Sequence, residues 1–350
     1  MSHEREMLAE AAAGVMGRQA APDELGRVAE GFDPALWDAL EELGFTLVSV
    51  PEEAGGSGGS LGDAATVLRV AGRTAARVPL AETALLGGWL LASAGLPVPA
   101  GPITVVAEAD DLVLSREDGG WRLSGSAVWV PWASCAGTIA VLADGYVAAL
   151  DPAGWTATAG ANMAGEPRDD VLVRARLDDA AVAPAPPGVD AAALHRRGAL
   201  ARAIAMSGAL DRVLELTIAY AREREQFGRP IGRFQAIQQY LAELAGEATA
   251  TAAAVEAAVT AEEAGPAPVA VAAAKVRAGL AAGRGAPIAH QVHGAIGATD
   301  EHELHLYTRR LWSWRDEFGS ETEWSIDLGR RFAAQGPDGI WPAITQEVSR

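Results

Sequence analysis

The stretch AREREQFGRPIGRFQ, residues 221–235, separates two long segments that repeat apolar residues at helical spacing. Gly228 and Pro230 predict that the first helix ends here, because both residue types interrupt helices. Phe227 and Phe234 can anchor the turn, and Arg224 presents a planar, bidentate donor that suits a phosphate. Runs of alternating Arg and Glu usually face water, so a solvated helix end is the alternative interpretation.

Apolar and small residues recur at intervals of three and four on both sides of this turn. They form three sets: Leu210, Val213, Leu214, Thr217, Tyr220 and Ala221; Ile237, Tyr240, Leu241, Leu244, Ala245 and Ala248; and Val269, Ala272, Ala273, Val276 and Leu280. Small residues on so many faces indicate closely packed antiparallel helices. A C-terminal four-helix bundle is therefore predicted.

The first hundred residues also have helical character. Asp33 as N-cap and Pro34 at the first helical position predict a helix start, and Gly44 predicts its end. Beyond residue 100 the pattern changes to short, strand-length apolar runs separated by Gly, Asp and Pro, which is typical of a small β-barrel or sandwich. A stiff Pro-rich linker, Ala183–Gly188, closes this region.

These patterns predict an α+β, multidomain fold. The predicted parts are an N-terminal helical domain (1–100), a middle β domain (101–188) and the C-terminal helical bundle (189–350).

Composition excludes several classes of protein. The 350 residues include 49% hydrophobic types, which is too many for a disordered chain. Lys and Arg number 28 against 46 Asp and Glu, giving a formal charge of −18. This balance disfavours a nucleic-acid binder, which needs a basic face, although a local basic pocket for one anionic ligand remains compatible with it.

The single cysteine, Cys135, excludes an internal disulfide and a cysteine-based zinc cluster, and we expect it to be a small core residue. The N-terminal residues lack an apolar signal core. Ala84–Ala107 is uncharged, but Pro97, Pro99 and Pro102 interrupt it, so it predicts a buried helix, a turn and a strand. A cytoplasmic protein that does not span a membrane is expected.

A second motif, QVHGAIGATDEHELHLYTRR, occupies residues 291–310. Gly294 and Gly297 permit close backbone approach, for example by a ligand. Four histidines, His290, His293, His302 and His305, form two H-x-x-H pairs, a spacing that could bind zinc. In the alternative interpretation, His293 packs in the turn and the last two lie on the next helix. We expect no metal.

Taken together, these segments resemble the acyl-CoA dehydrogenases. The resemblance rests on REQFGRPIGRFQAIQ (224–238), on the second motif, and on LWDALEELGFTLVSVPEEAGGSGGSL (36–61), and it covers nearly the whole chain. It implies the acyl-CoA dehydrogenase fold, FAD held at a subunit interface, and α,β-desaturation of an acyl-CoA thioester.

The resemblance also implies site residues. Arg224, Phe227 and Gln235 match positions that touch the FAD of a neighbouring subunit. Gln291 and Gly294 match positions near its diphosphate and adenosine. Trp129 stands where the family places a Trp against the flavin.

Some positions depart from the family pattern. The reaction needs a carboxylate to remove the α-proton. The two places where the family carries it hold Phe318 and Gly198 here, and Glu317 is adjacent to the first. A one-residue shift of the alignment would make Glu317 the base, but neighbouring residues on a helix point about 100° apart. Pro131, at a flavin-contacting Thr position, has no N–H to donate.

These departures are typical of one chain of the two-subunit acyl-CoA dehydrogenases of actinobacterial sterol and bulky acyl-CoA degradation, in which a homologous partner supplies the base. The alternative assembly is an oligomer of this chain alone. The alternative function is a non-catalytic structural or interaction subunit, or a protein that binds thioesters without redox chemistry.

Overall fold

The computed structural model describes residues 3–19, 31–107 and 111–342. Its N-terminal helices are α1 (His3–Gln19), α2 (Pro34–Glu42), α3 (Leu61–Arg73) and a π-helical segment, Ala81–Gly88, that continues as α4 (Trp89–Ser93). The predicted start of α2 is confirmed, because Asp33 accepts a hydrogen bond from the Leu36 amide at 3.0 Å and Pro34 opens the helix. Gly44, with φ +72°, follows its end.

The described residues pack as two units. The first comprises 3–15, 31–67, 77–107 and 111–198, and the second comprises 16–19, 68–76 and 199–342. The β strands of the middle region belong to the first unit, and the long C-terminal helices belong largely to the second.

The middle region contains two four-stranded sheets. Its strands are β1 (Ile103–Ala107), β2 (Val113–Glu117), β3 (Gly120–Pro131), β4 (Thr138–Ala143), β5 (Tyr146–Leu150), β6 (Trp155–Thr158), β7 (Arg168–Leu177) and β8 (Val182–Pro184). The strand orders are β1-β4-β5-β8 and β2-β3-β7-β6.

Both sheets contribute to one core. Ile139 and Leu150 from the first sheet and Leu123 and Val173 from the second are buried in the same cluster. Within the described strands neither sheet closes on itself, so the arrangement is a sandwich and not the barrel that was the other expectation. Part of the predicted linker is strand β8, because Val182–Pro184 pairs with β5.

The C-terminal region is helical, as predicted. It comprises α5 (Ala191–Glu223), the two-residue strands β9 (Glu225–Gln226) and β10 (Arg229–Pro230), α6 (Gln235–Ala264), α7 (Pro268–His293), α8 (Leu304–Asp316) and α9 (Glu321–Ala333). A three-residue connection joins α6 to α7, and the two pack antiparallel over much of their length.

The third predicted apolar set is wrong in part. On α7, Ala273 is exposed and Leu280 is 39% exposed, whereas Val271, Ala274 and Ala278 are buried. Since Ala and Gly occupy nearly every face of α7, the spacing of its larger residues did not select the buried face.

In the second unit, α3 crosses α5 at two glycines. A Cβ on Gly72 would lie 2.1 Å from the Ala205 carbonyl oxygen, and one on Gly208 would lie 1.9 Å from that of Arg69. Arg69 also pairs with Asp211 at 2.7 Å. The crossing therefore depends on backbone contact that any side chain would prevent. None of the described helices is long and apolar enough to cross a membrane.

Candidate active site

The 221–235 stretch forms a tight β-hairpin between α5 and α6. Gln226 pairs with Arg229, which leaves Phe227 and Gly228 as the turn, with φ values of +52° and +78°. Two positive φ angles define a type I′ turn, for which Phe is an unusual first residue. The Phe227 side chain is 91% exposed. The hairpin therefore projects a phenyl ring into solvent in a backbone conformation that the residue does not favour.

Phe234 is the aromatic residue that secures the hairpin. Its ring contacts that of Phe227 edge to face at 6.0 Å, and the Arg229 guanidinium lies 4.3 Å from its centroid. The Ile231 amide donates to the Arg224 carbonyl at 2.8 Å. Of the two expected anchors, Phe234 is half-buried and holds the turn, whereas Phe227 is its exposed tip.

Arg224 and Gln235 flank the hairpin, and both are exposed. Gln235 is the first residue of α6, and Phe234 before it has no side-chain acceptor for the first amides of that helix. An uncapped helix start carries a partial positive charge that attracts anions. Cationic and amide donors are thus concentrated on both sides of the hairpin.

The second motif forms the end of α7 and the turn after it. Gly294 terminates α7 with φ +66°, and apart from its chain neighbours no described residue lies within 4 Å of the position of a Cβ there. Gln291 is exposed one turn earlier. At Gly297, by contrast, a Cβ would lie 2.9 Å from that of His293. Gly294 therefore provides open backbone, and Gly297 provides close packing.

These two motifs meet in space. Val292 of α7 is buried in one cluster with Ala221 and Ile231. The Tyr220 ring stacks on His293, with centroids 4.5 Å apart and planes at 25°. The structure therefore brings two segments of the second unit together: one contains Arg224, Phe227 and Gln235, and the other contains Gln291 and Gly294.

Trp129 belongs to the first unit. It lies at a β-bulge between Ala127 and Val130, with φ +58° and a 62% exposed side chain. Its amide donates to Asp170 at 3.2 Å. The bulge turns the indole outward from the sheet, so its face is available for contact.

The loop after α8 contains both alternatives at the first expected base position. Phe318 has φ +54°, and its ring lies 5.4 Å from the Arg202 guanidinium. Glu317 accepts from Arg202 Nε at 2.6 Å, and their side chains are 17% and 4% exposed. The Glu317 carboxylate is therefore committed to a nearly buried ion pair. Gly198, the second expected position, is buried within α5.

Lys275, which was not predicted from the sequence, lies beside this loop. It is fully buried and donates to the carbonyl oxygens of Trp314 at 2.9 Å and Arg315 at 2.7 Å. Burial lowers the pKa of Lys275 to about 7, although Glu317 acts in the opposite direction. It caps the last turn of α8. The sequence feature that could have indicated this role is a single Lys within an Ala- and Gly-rich helix.

The histidines pair with neighbouring groups. His290 Nε2 lies 3.0 Å from Thr308 Oγ1, and His305 Nδ1 donates to the His302 carbonyl at 2.8 Å. Across the described ranges, no group of three or more His, Cys, Asp or Glu side chains could hold a metal ion.

Cys135 is half-buried and donates to the Trp132 carbonyl at 3.2 Å. Burial, followed by the charges of Asp169 and Glu82, raises the pKa of its thiol to about 12. The thiol is therefore unsuited to act as a nucleophile.

Both helical regions of the chain match known protein domains. Residues 2–97 match the acyl-CoA dehydrogenase N-terminal domain, and residues 191–320 match the acyl-CoA dehydrogenase C-terminal domain. The chain is 33% identical over 316 residues to acyl-CoA dehydrogenase IpdE2 of Mycolicibacterium smegmatis, covering 89% of this chain and 93% of that protein.

Two solved structures are also similar. One chain of the ChsE4-ChsE5 complex from Mycobacterium tuberculosis has a TM-score of 0.86 at 26% identity, covering 95% of this chain and 98% of that chain. A Tcur3481-Tcur3483 steroid acyl-CoA dehydrogenase variant has a TM-score of 0.82 at 27% identity, with the same coverage.

Proposed function

The chain belongs to the acyl-CoA dehydrogenase family, and from this premise we propose that it is an FAD-binding subunit for α,β-desaturation of an acyl-CoA thioester. A homologous partner would supply the catalytic base. The observation that carries the proposal is that two segments meet. One is the hairpin between α5 and α6, here called the Arg224 hairpin, and the other is the end of α7 at residues 291–294, here called the Gln291–Gly294 turn.

The residues around these two segments fit a dinucleotide. Arg224 and the uncapped start of α6 would bind phosphate oxygens, because both offer donors and positive charge. The open backbone at Gly294 would admit the diphosphate and adenosine part, beside Gln291. Phe227 and Gln235 would reach the FAD of a neighbouring subunit. When bound, FAD accepts the hydride equivalent that leaves the β-carbon of the acyl group.

Removal of the α-proton is the part of the reaction for which this chain is incomplete. Neither Phe318 nor Gly198 can accept a proton, and Glu317 is paired with Arg202. A carboxylate must then come from another chain. The similarity to a chain of the ChsE4-ChsE5 complex supports an assembly of two related subunits.

The test is copurification with a homologous partner, followed by the visible absorption spectrum. We expect oxidised-flavin bands that bleach when a bulky acyl-CoA is added without an electron acceptor. Arg224→Ala should lower the flavin content, while Arg222→Ala, an exposed residue in the last turn of α5, should retain it. A colourless complex would contradict the proposal.

The absence of a base at both positions also favours a second candidate, a non-catalytic structural subunit. Assay of the chain alone with an artificial electron acceptor distinguishes the two. Desaturation by the chain alone excludes the structural role. If Glu317→Gln then abolishes that rate while Arg202→Lys retains it, Glu317 is the base and the partner is not required for chemistry.

A further inference from the structure

Three rings form a cluster beneath the two proposed FAD-binding segments. Tyr220 of α5 stacks on His293 of α7, and His302 meets His293 edge-on at 4.6 Å and Tyr220 edge-on at 6.1 Å. His293 is almost fully buried, and Tyr220 and His302 are half-buried. This cluster joins the end of α5 to the end of α7, next to the apolar contact of Ala221 with Val292.

The contacts of the cluster fit neutral imidazoles. His293 Nδ1 lies 2.8 Å from the Ala289 carbonyl oxygen, which can only accept, so the proton is on Nδ1. Its Nε2 is buried and has no hydrogen-bond partner among the described residues, so a second proton there would find no acceptor. His302 Nδ1 accepts from the Leu304 amide at 3.1 Å and must be unprotonated.

The surrounding charges favour the same state. Burial lowers the pKa of His293, as do His302 and His290, while the Ala289 carbonyl raises it. Burial also lowers the pKa of His302, as do His305 and Arg212, while Glu303 raises it. Further titratable groups in this region are Tyr240 of α6, in the adjoining apolar cluster, Tyr307 of α8, which donates to Glu303, and Asp300, which lies 3.7 Å from His305.

We propose that Tyr220, His293 and His302 are positioning residues that hold the Arg224 hairpin and the Gln291–Gly294 turn in register for the dinucleotide, and only while both imidazoles are neutral. This inference rests on the proposed function. Tyr220 lies one turn before Arg224, whose amide donates to the Tyr220 carbonyl at 2.8 Å, and His293 directly precedes Gly294. A shift of the stack therefore moves both binding segments.

Protonation would act on the cluster in two ways. A proton on His293 Nε2 would place a charged donor in a buried position without an acceptor, which is costly. A proton on His302 Nδ1 would remove the acceptor of the Leu304 amide and loosen the start of α8. Dinucleotide affinity should therefore fall in acid, below the ordinary titration range of histidine, and not at neutral pH.

The test measures FAD affinity of the full chain, in the oligomer in which it purifies, by equilibrium dialysis at about pH 8 and about pH 5. We expect an affinity roughly tenfold weaker in acid, the equivalent of one pKa unit of coupling. Tyr220→Ala should weaken binding about tenfold already at the higher pH, and Tyr220→Phe, which keeps the stacked ring, should restore it. His293→Phe should bind at the higher pH and lose most of the acid sensitivity. His3→Gln, an exposed control, should behave as wild type.

The outcomes separate the two proposals. Binding that is unaffected by Tyr220→Ala, or an acid loss that His293→Phe leaves intact, overturns the positioning role alone. If the wild-type chain binds no FAD at either pH, the proposed function fails. Histidine NMR titration then still decides the cluster: we expect Tyr220→Ala to raise the pKa of His293 by exposing it, and an unchanged titration overturns the inference.

Discussion

The Arg224 hairpin and the Glu317 loop, both in the second unit, use charge in opposite ways. At the hairpin, Arg224, Phe227 and Gln235 are exposed. At the loop, Glu317 is paired with Arg202, and Lys275 donates to carbonyl oxygens at the end of α8. The hairpin therefore presents donors to a ligand or partner, whereas the charged side chains at the loop are bound to other groups of the same chain. This contrast agrees with the proposed function, in which the chain binds the cofactor at the hairpin and a partner supplies the proton acceptor.

The largest effect on stability should come from the loop. Arg202→Ala leaves the Glu317 carboxylate without its partner in a nearly buried position, so we expect a loss of about 3–5 kcal/mol in the free energy of unfolding. Urea denaturation measures it. Arg331→Ala, which removes an exposed i,i+4 pair with Asp327, is the control and should cost at most about 0.5 kcal/mol. Equal effects would mean that the loop pair is not structural.

The hairpin should respond in ligand binding and not in stability. Arg224→Ala should weaken FAD binding by about 1.5–3 kcal/mol, the usual contribution of a charged hydrogen bond, while the urea midpoint stays nearly constant. Flavin fluorescence titration alongside denaturation measures both. A stability loss as large as that of Arg202→Ala would remove the distinction between the two regions.

Lys275, beside the loop, should make the stability of the folded chain depend on pH. Burial lowers the pKa of Lys275 to about 7 in the folded chain, well below its unfolded value. Above that pH the unfolded chain binds a proton that the folded chain does not, so stability should rise with pH. The slope is at most about 1.4 kcal/mol per pH unit, and about 1 kcal/mol is expected between pH 7 and pH 8. Lys275→Met should flatten this rise in urea unfolding curves, and an unchanged slope would assign it to another group.

The smallest effect should be at the hairpin tip. The Phe227 ring is 91% exposed, so Phe227→Ala should change the free energy of unfolding of the chain by at most about 0.5 kcal/mol. Phe234→Ala, which removes the half-buried anchor, should cost about 1–2 kcal/mol. Thermal denaturation of both variants compares them. A large loss for Phe227→Ala would show that the tip is covered by another subunit.

Sequence patterns predicted the helices and strands whose ends are set by neighbouring residues, such as caps, turn residues and helix breakers. The Asp33 cap and Pro34 placed the start of α2, and alternation with turn residues placed strands such as β5. The end of α5 at the hairpin followed from Gly228 and Pro230. Patterns failed on α7, where an Ala- and Gly-rich sequence carries almost no contrast between faces, and at Lys275, whose role depends on the carbonyl groups of α8.

The sequence by itself determined the family, the order of helices, strands and helices, and the absence of a carboxylate at both expected base positions, because these depend on residue identity and spacing along the chain. Only the tertiary structure decided that Tyr220 stacks on His293 and that Arg202 binds Glu317. These partners are 73 and 115 residues apart (293 − 220 and 317 − 202). Helix packing sets which of the many candidate side chains meet at such separations, and periodicity along one helix contains no information about its neighbour.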